Sequence, residues 1–89
     1  MQIKMNQFKS RTIQLAYYAI LREERGIDQE TIVTDVKTVL DLYDDLLARH
    51  NFSLTSDSVK VSINDTFSSW DTELKDGDSI VFIPPVSGG

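Results

Sequence analysis

The residues of this chain best suited to chemistry are its last six, "PPVSGG", Pro84 to Gly89, which follow directly on the apolar run "SIVFI". Two successive prolines hold φ near about −65°, so Pro84 and Pro85 send the chain away from that run stiff and extended. Val86 and Ser87 continue outward. Gly88 and Gly89 carry no Cβ, so a partner can enclose their backbone in a channel too narrow for any side chain. The tip, read as the chain's own C-terminus, is an α-carboxylate. A carboxylate is a poor electrophile until one oxygen is made a leaving group. Adenylation would do that, after which sulfur, a thiol or an amine could attack.

The other residues supply no machinery for such a step. There is no cysteine, which excludes a thiolate zinc site and a cysteine nucleophile and suits a reducing compartment. The one histidine, His50, stands beside Arg49 and Asn51 at the expected end of a helix, with no second histidine to share a metal. Asp41, Asp44 and Asp45 lie off the apolar stripe of that helix and read as a solvated face. No glycine-rich phosphate loop and no nucleophile with a neighbouring base occurs. No metal site is expected. If the tail takes part in chemistry, it does so as a substrate or carrier for other enzymes. The competing reading is an interaction domain with an inert end.

The chain has 89 residues, 40% of them hydrophobic, enough for one small domain that buries roughly 60 to 65% of its unfolded surface. Acidic residues outnumber basic ones 14 to 9, for a net charge of −5, and no Lys/Arg stripe forms. Nucleic acid is therefore not an expected partner, because phosphate neutralisation needs the opposite sign. No run approaches the ~20 apolar residues of a membrane span, and "MQIKMNQFKS" has no apolar core of signal-peptide length. A soluble, cytoplasmic protein is expected.

The elements that must position the tail follow from periodicity. "MQIKMNQF" alternates and predicts a first strand, with Phe8 falling on its polar side, either tucked under a loop or available to a partner. The spacing of Ile13, Ala16, Tyr17, Ile20 and Leu21 predicts a helix over 11–25, stopped by Gly26. Within it Tyr17 is a core candidate and Tyr18 a partly exposed one. "ETIVT" predicts a short strand. A second helix is expected from Thr34-Asp35, with Val36, Val39, Leu40, Tyr43 and Leu47 as its buried stripe. "SLTSDS" reads as a linker and "VKVSIN" as the cleanest strand, turned by "NDT". In "KDGD", Asp76-Gly77 favours a tight turn with positive φ. The last strand, Ser79 to Ile83, is apolar on both faces, and a chain this short has helices to cover only one of them. The result is an α+β roll: a mixed sheet packed on two main helices, with a globular domain over 1–83 and an extended tail over 84–89.

The ending "DGDSIVFIPPVSGG" resembles that of the small subunit of molybdopterin synthase, a ubiquitin-like sulfur-carrier family. There an acid-glycine-acid turn leads to a short apolar strand, Pro-Pro-Val, a small residue and Gly-Gly. The likeness extends upstream through "VSINDTFSSWDTELKDGD". It implies a ubiquitin-like β-grasp roll that binds no cofactor of its own and supplies no catalytic side chain. An ATP-dependent adenylating enzyme would activate Gly89, with Gly88 as the slim approach to it. A sulfurtransferase would then furnish the sulfur of a thiocarboxylate, and the synthase large subunit would use it to build the cofactor's dithiolene. Phe8, Phe67 and Ile83 match family positions that meet the large subunit, and Pro84, Pro85, Val86 and Ser87 accompany the tail into it. A thiamine-pathway sulfur carrier and a ubiquitin-like modifier of lysines are the alternatives. Two features depart from the family: a first helix longer than is usual and a first strand less hydrophobic.

Overall fold

The computed structural model describes residues 10–86. Five strands and two helices follow one another as β1 (Arg11–Tyr17), α1 (Ala19–Arg25), β2 (Gln29–Thr34), α2 (Val39–His50), β3 (Lys60–Ile63), β4 (Thr66–Ser68) and β5 (Ser79–Ile83). The strands form one sheet in the order β2-β1-β5-β3-β4. All neighbours are antiparallel except β1 and β5, which run parallel with Leu15 beside Ile80 and Tyr17 beside Phe82. The α+β roll expected from the sequence is therefore present.

The helix expected over 11–25 is a strand followed by a short helix. Its apolar residues satisfy two periods at once. Within the strand, Ile13, Leu15 and Tyr17, at 0%, 2% and 0% exposure, are the set that is buried, and they alternate as a strand requires. Ile20, assigned to the same stripe, is exposed. The strand prevails because this segment has hydrogen-bonding neighbours on both sides, which no helix at this place in the sheet would have. Tyr18 ends it in an extended conformation and Ala19 turns it at φ 55°. Gly26, at φ 89°, stops α1 as expected, its N–H donating to the Arg22 carbonyl. The alternating segment "MQIKMNQF", with Phe8, lies outside the described residues.

The second helix begins four residues later than the sequence suggests. Thr34 Oγ1 accepts a hydrogen bond from the Val36 N–H and so forms a turn before the helix. The N-cap is Thr38, whose Oγ1 accepts from Asp41 N while the Asp41 carboxylate accepts from Thr38 N, a reciprocal capping box. The buried stripe is Val39, Leu42, Tyr43 and Leu46. Leu40 and Leu47, expected there, are only half-buried, and Val36 packs on the core from the preceding loop. Asp45 pairs with Arg49 at 2.9 Å, and His50 closes the helix. The expected linker contains a single 3-10 turn, Ser56–Ser58.

Strand β5 occupies the middle of the sheet, and the core is built around it. Phe82 is fully buried, edge-on to Tyr43 with ring centroids 5.1 Å apart and stacked on Trp70 at 6.1 Å with 8° between the planes. The Trp70 indole N–H donates to the Val59 carbonyl, which leaves its polar atom satisfied. At the start of β5, the buried Asp78 carboxylate accepts from Asn64 Nδ2 at 2.9 Å and from Lys75 N at 2.8 Å. Asp76 accepts from Thr12 N, and Gly77, at φ 89°, donates to the Thr12 carbonyl. The "KDGD" turn thus aligns β5 against β1.

At the far edge, Glu30 is held by Arg25 through two bonds of 2.9 and 2.8 Å and by the Tyr17 hydroxyl at 2.6 Å. These contacts tie α1, β1 and β2 together. Burial, followed by the Glu30 hydrogen bond, pushes the Tyr17 hydroxyl well above its usual range. The Arg25 bonds, opposed by burial, hold the Glu30 carboxyl below its usual value. A carboxyl whose pKa is lower in the folded state contributes stability above its unfolded pKa of about 4.3, and that contribution is lost as pH falls through the folded value. Glu30→Gln is therefore expected to lower the melting temperature at neutral pH. The gap from wild type should close as the pH drops below about 4, which thermal melts across a pH series would measure.

Candidate functional site

The face of the sheet turned away from the helices carries the apolar residues left over from the core. Register places Ala16 beside Val81, Val81 beside Ser62 and Ser62 beside Phe67, in one row across four strands. In the next row Ile83 lies beside Lys60. Phe67 is 68% exposed, while Val81 and Ile83 are half-buried. Tyr18 follows Tyr17 in an extended conformation and so falls on the same side as Ala16; it is 53% exposed. The doubly apolar character of β5 is explained: Ile80 and Phe82 fill the core, and Val81 and Ile83 supply this outer patch.

The tail leaves from the edge of that patch. Pro84 is buried, Pro85 is exposed and Val86 is 94% exposed. Residues 83–86 border a cleft whose opposite wall is Asp57, Ser58, Val59 and Lys60. The first proline therefore completes the globule, and the projecting arm starts at Pro85. A neighbouring groove beneath Phe67 and Trp70 shares Asp57, Val59 and Lys60 with the cleft. Ser87, Gly88 and Gly89 lie outside the described residues, as does Phe8.

The groups with displaced protonation equilibria belong to the helix side. Burial pushes the Tyr43 hydroxyl up to about 12, where it donates to the Leu54 carbonyl. Burial, and next the Arg25 charge, lower the His50 pKa. With Tyr17 and Glu30 these are fold-holding contacts on the helix side, and Tyr17 and Tyr43 pack there on Phe82 of β5. No group of three or more His, Cys, Asp or Glu among the described residues is placed to hold a metal ion. No helix among them is long and apolar enough to cross a membrane.

Of the residues singled out in the sequence, the structure brings together Phe67, Ile83, Pro84, Pro85 and Val86 around one face. Tyr18 belongs with them and was missed as a surface residue of that face. Its signal was present: alternation in "TIQLAYY" read at period two puts Tyr17 inward and Tyr18 outward.

The ThiS family model matches residues 15–89. Phe8 precedes that span. The molybdopterin synthase sulfur carrier subunit of Escherichia coli (strain K12) is 32% identical over 80 residues, covering 86% of this chain and 99% of the relative. Among solved structures, the putative molybdopterin converting factor subunit 1 of Pyrococcus furiosus is similar with a TM-score of 0.71 at 32% identity, covering 85% of this chain and 99% of that one. SAMP1 from Haloferax volcanii also reaches 0.71, at 26% identity and coverages of 88% and 99%. These neighbours share the five-stranded sheet and two helices of the ubiquitin-like β-grasp roll. By the match over residues 15–89 and by these likenesses, the chain belongs to the ThiS family of ubiquitin-like sulfur carriers.

Proposed function

We propose that this chain is the sulfur-donating small subunit of a molybdopterin synthase. The observation that carries the reading is the placement of the tail root: a proline-led arm leaves the central strand of the sheet beside an apolar face that the domain's own helices do not cover. The same geometry serves two successive partners. An adenylating enzyme receives the arm, and one Gly89 carboxylate oxygen attacks the α-phosphorus of ATP with loss of pyrophosphate. A sulfur donor at the sulfide level, supplied through a sulfurtransferase, then attacks the acyl carbon and AMP leaves. The product is a thiocarboxylate on Gly89. The large synthase subunit docks on Phe67, Tyr18, Val81 and Ile83 and threads Pro85 to Gly89 toward its own catalytic side chains, where sulfur passes to the pterin precursor. Water cleaves the acyl–sulfur bond, leaving the sulfur on the pterin, and the regenerated carboxylate departs and is recharged.

The likeness to the Escherichia coli relative supports this assignment over a thiamine-pathway carrier. A second reading, attachment of the activated glycine to lysine amines, is favoured by the structural likeness to SAMP1. The two readings share adenylation and differ in the nucleophile that follows it.

Deleting Gly89 is expected to abolish ATP–pyrophosphate exchange with the adenylating enzyme while leaving the melting temperature unchanged, because the core is built from residues between Ile13 and Phe82. Normal exchange by the shortened chain would refute the carrier reading.

Phe67→Lys and Tyr18→Lys are each expected to weaken assembly with the large subunit by at least about tenfold, since a lysine desolvated without a partner costs several kcal/mol. Both side chains are mostly exposed, so folding should change little. Titration calorimetry beside thermal melts separates the two effects.

The two prolines are expected to differ. Pro84→Gly removes a buried ring and should lower the melting temperature. Pro85→Gly should leave it alone but slow both loading and discharge about fivefold, the cost of ordering one freed residue at roughly 1 kcal/mol. Steady-state kinetics with each partner enzyme would test it.

A further inference from the structure

The β2 edge of the sheet has its own character. Tyr17 N donates to the Asp28 carbonyl at 2.9 Å, and bonded pairs recur every second residue in an antiparallel ladder. Asp28, Glu30, Ile32 and Thr34 therefore spend their main-chain groups on β1. Those of Gln29, Thr31 and Val33 point outward, and among the described residues β2 has no neighbour on that side. Natural edge strands are usually blunted by lysine, proline, a bulge or extreme shortness. β2 is six residues long, "QETIVT", with none of these; its one charged residue, Glu30, is turned inward and paired with Arg25, and Val33 is 69% exposed.

We propose that β2 is a self-association edge whose occupant is β2 of a second copy of this chain, paired antiparallel about a two-fold axis through Thr31. The strand is complementary to itself in this register. Thr31 faces Thr31 and Gln29 faces Val33, which lets the three outward-bonding residues of each copy exchange about six main-chain hydrogen bonds. Shifting the register by two residues in one direction sets Glu30 against Glu30; shifting in the other forfeits a bonded pair. Part of the negative charge beside the edge is neutralised. Glu30 is matched by Arg25 and Asp45 by Arg49, and these residues line a cleft that runs along Val33 and Thr34. Asp28 and Asp35 flank the strand at its two ends, so a second copy meets some like charge there, which weakens the pairing. The joined area is smaller than that of a standard stable interface, about 1,200 to 2,000 Å², so the dimer is weak and concentration-dependent. Because β2 and β4 are opposite edges, Phe67 on β4 lies away from the seam in both copies.

Sedimentation velocity of the full chain from micromolar to millimolar concentration tests the proposal, with Thr31→Pro and Val33→Lys as variants and far-UV circular dichroism as the check on folding. A concentration-dependent dimer that both variants weaken by at least about tenfold, and that Phe67→Lys leaves intact, is the expected result. Amide exchange on the unmodified chain gives a reading independent of any variant's folding: protection of Thr31 and Val33 should rise with concentration. A chain that stays monomeric throughout overturns the proposal. So does a dimer indifferent to both β2 variants, one dissolved by Phe67→Lys, or association that appears only after residues 1–9 are removed.

Discussion

The parallel pairing of β5 with β1 is the constraint on which the rest of the structure depends. A parallel neighbour cannot be reached by a tight turn, so almost the whole chain intervenes between these two strands: both helices, the β2 edge and the β3–β4 hairpin. Once β5 is inserted between β1 and β3, Phe82 stands at the centre of the aromatic cluster. Its alternate neighbours Val81 and Ile83 are forced to the other face. The residue after Ile83 can only leave the sheet at its middle. The arm's origin, the apolar patch beside it and the burial of Pro84 are consequences of one strand's position.

The same constraint explains how legible the molecule was. Strand β5, the Gly77 turn and the hairpin at Asn64-Asp65 could be read from the chain because each is specified locally: apolar residues on both faces, an acid-glycine pair, and two residues that tolerate positive φ. The segment 11–25 could not, because Ile13, Ala16, Tyr17 and Leu21 fit a helical stripe as well as Ile13, Leu15 and Tyr17 fit a strand. What decides between them is non-local, namely β2 on one side and β5 on the other. Placing β1 at Arg11–Tyr17 also removes one departure from the family that the sequence presented, the long first helix. The overlong helix was an error of assignment, the polar segment "MQIKMNQF" lies outside the described residues, and family-matched sequence begins inside β1, at Leu15.

The candidate site was legible in part for the same reason. Ile83 and the prolines are adjacent in sequence to the tail and could be found with it. Phe67 became part of the site only through its register opposite Ser62, and Tyr18 only once the strand parity of β1 was known. The domain thus divides into an inward aromatic core that fixes β5 and an outward apolar patch beside the root of the tail. The ion pairs of Glu30 and Asp45 are kept to the opposite edge.

The central claim concerns the atom at the end of the arm, and intact-mass measurement of the chain recovered from cells with an active adenylating enzyme and sulfur donor tests it most directly. The expected result is a population in which one oxygen of the Gly89 carboxylate is replaced by sulfur, and which is lost on incubation with the large synthase subunit and its pterin substrate. A chain recovered only as the free carboxylate, or joined through Gly89 to lysines of other proteins, would contradict it.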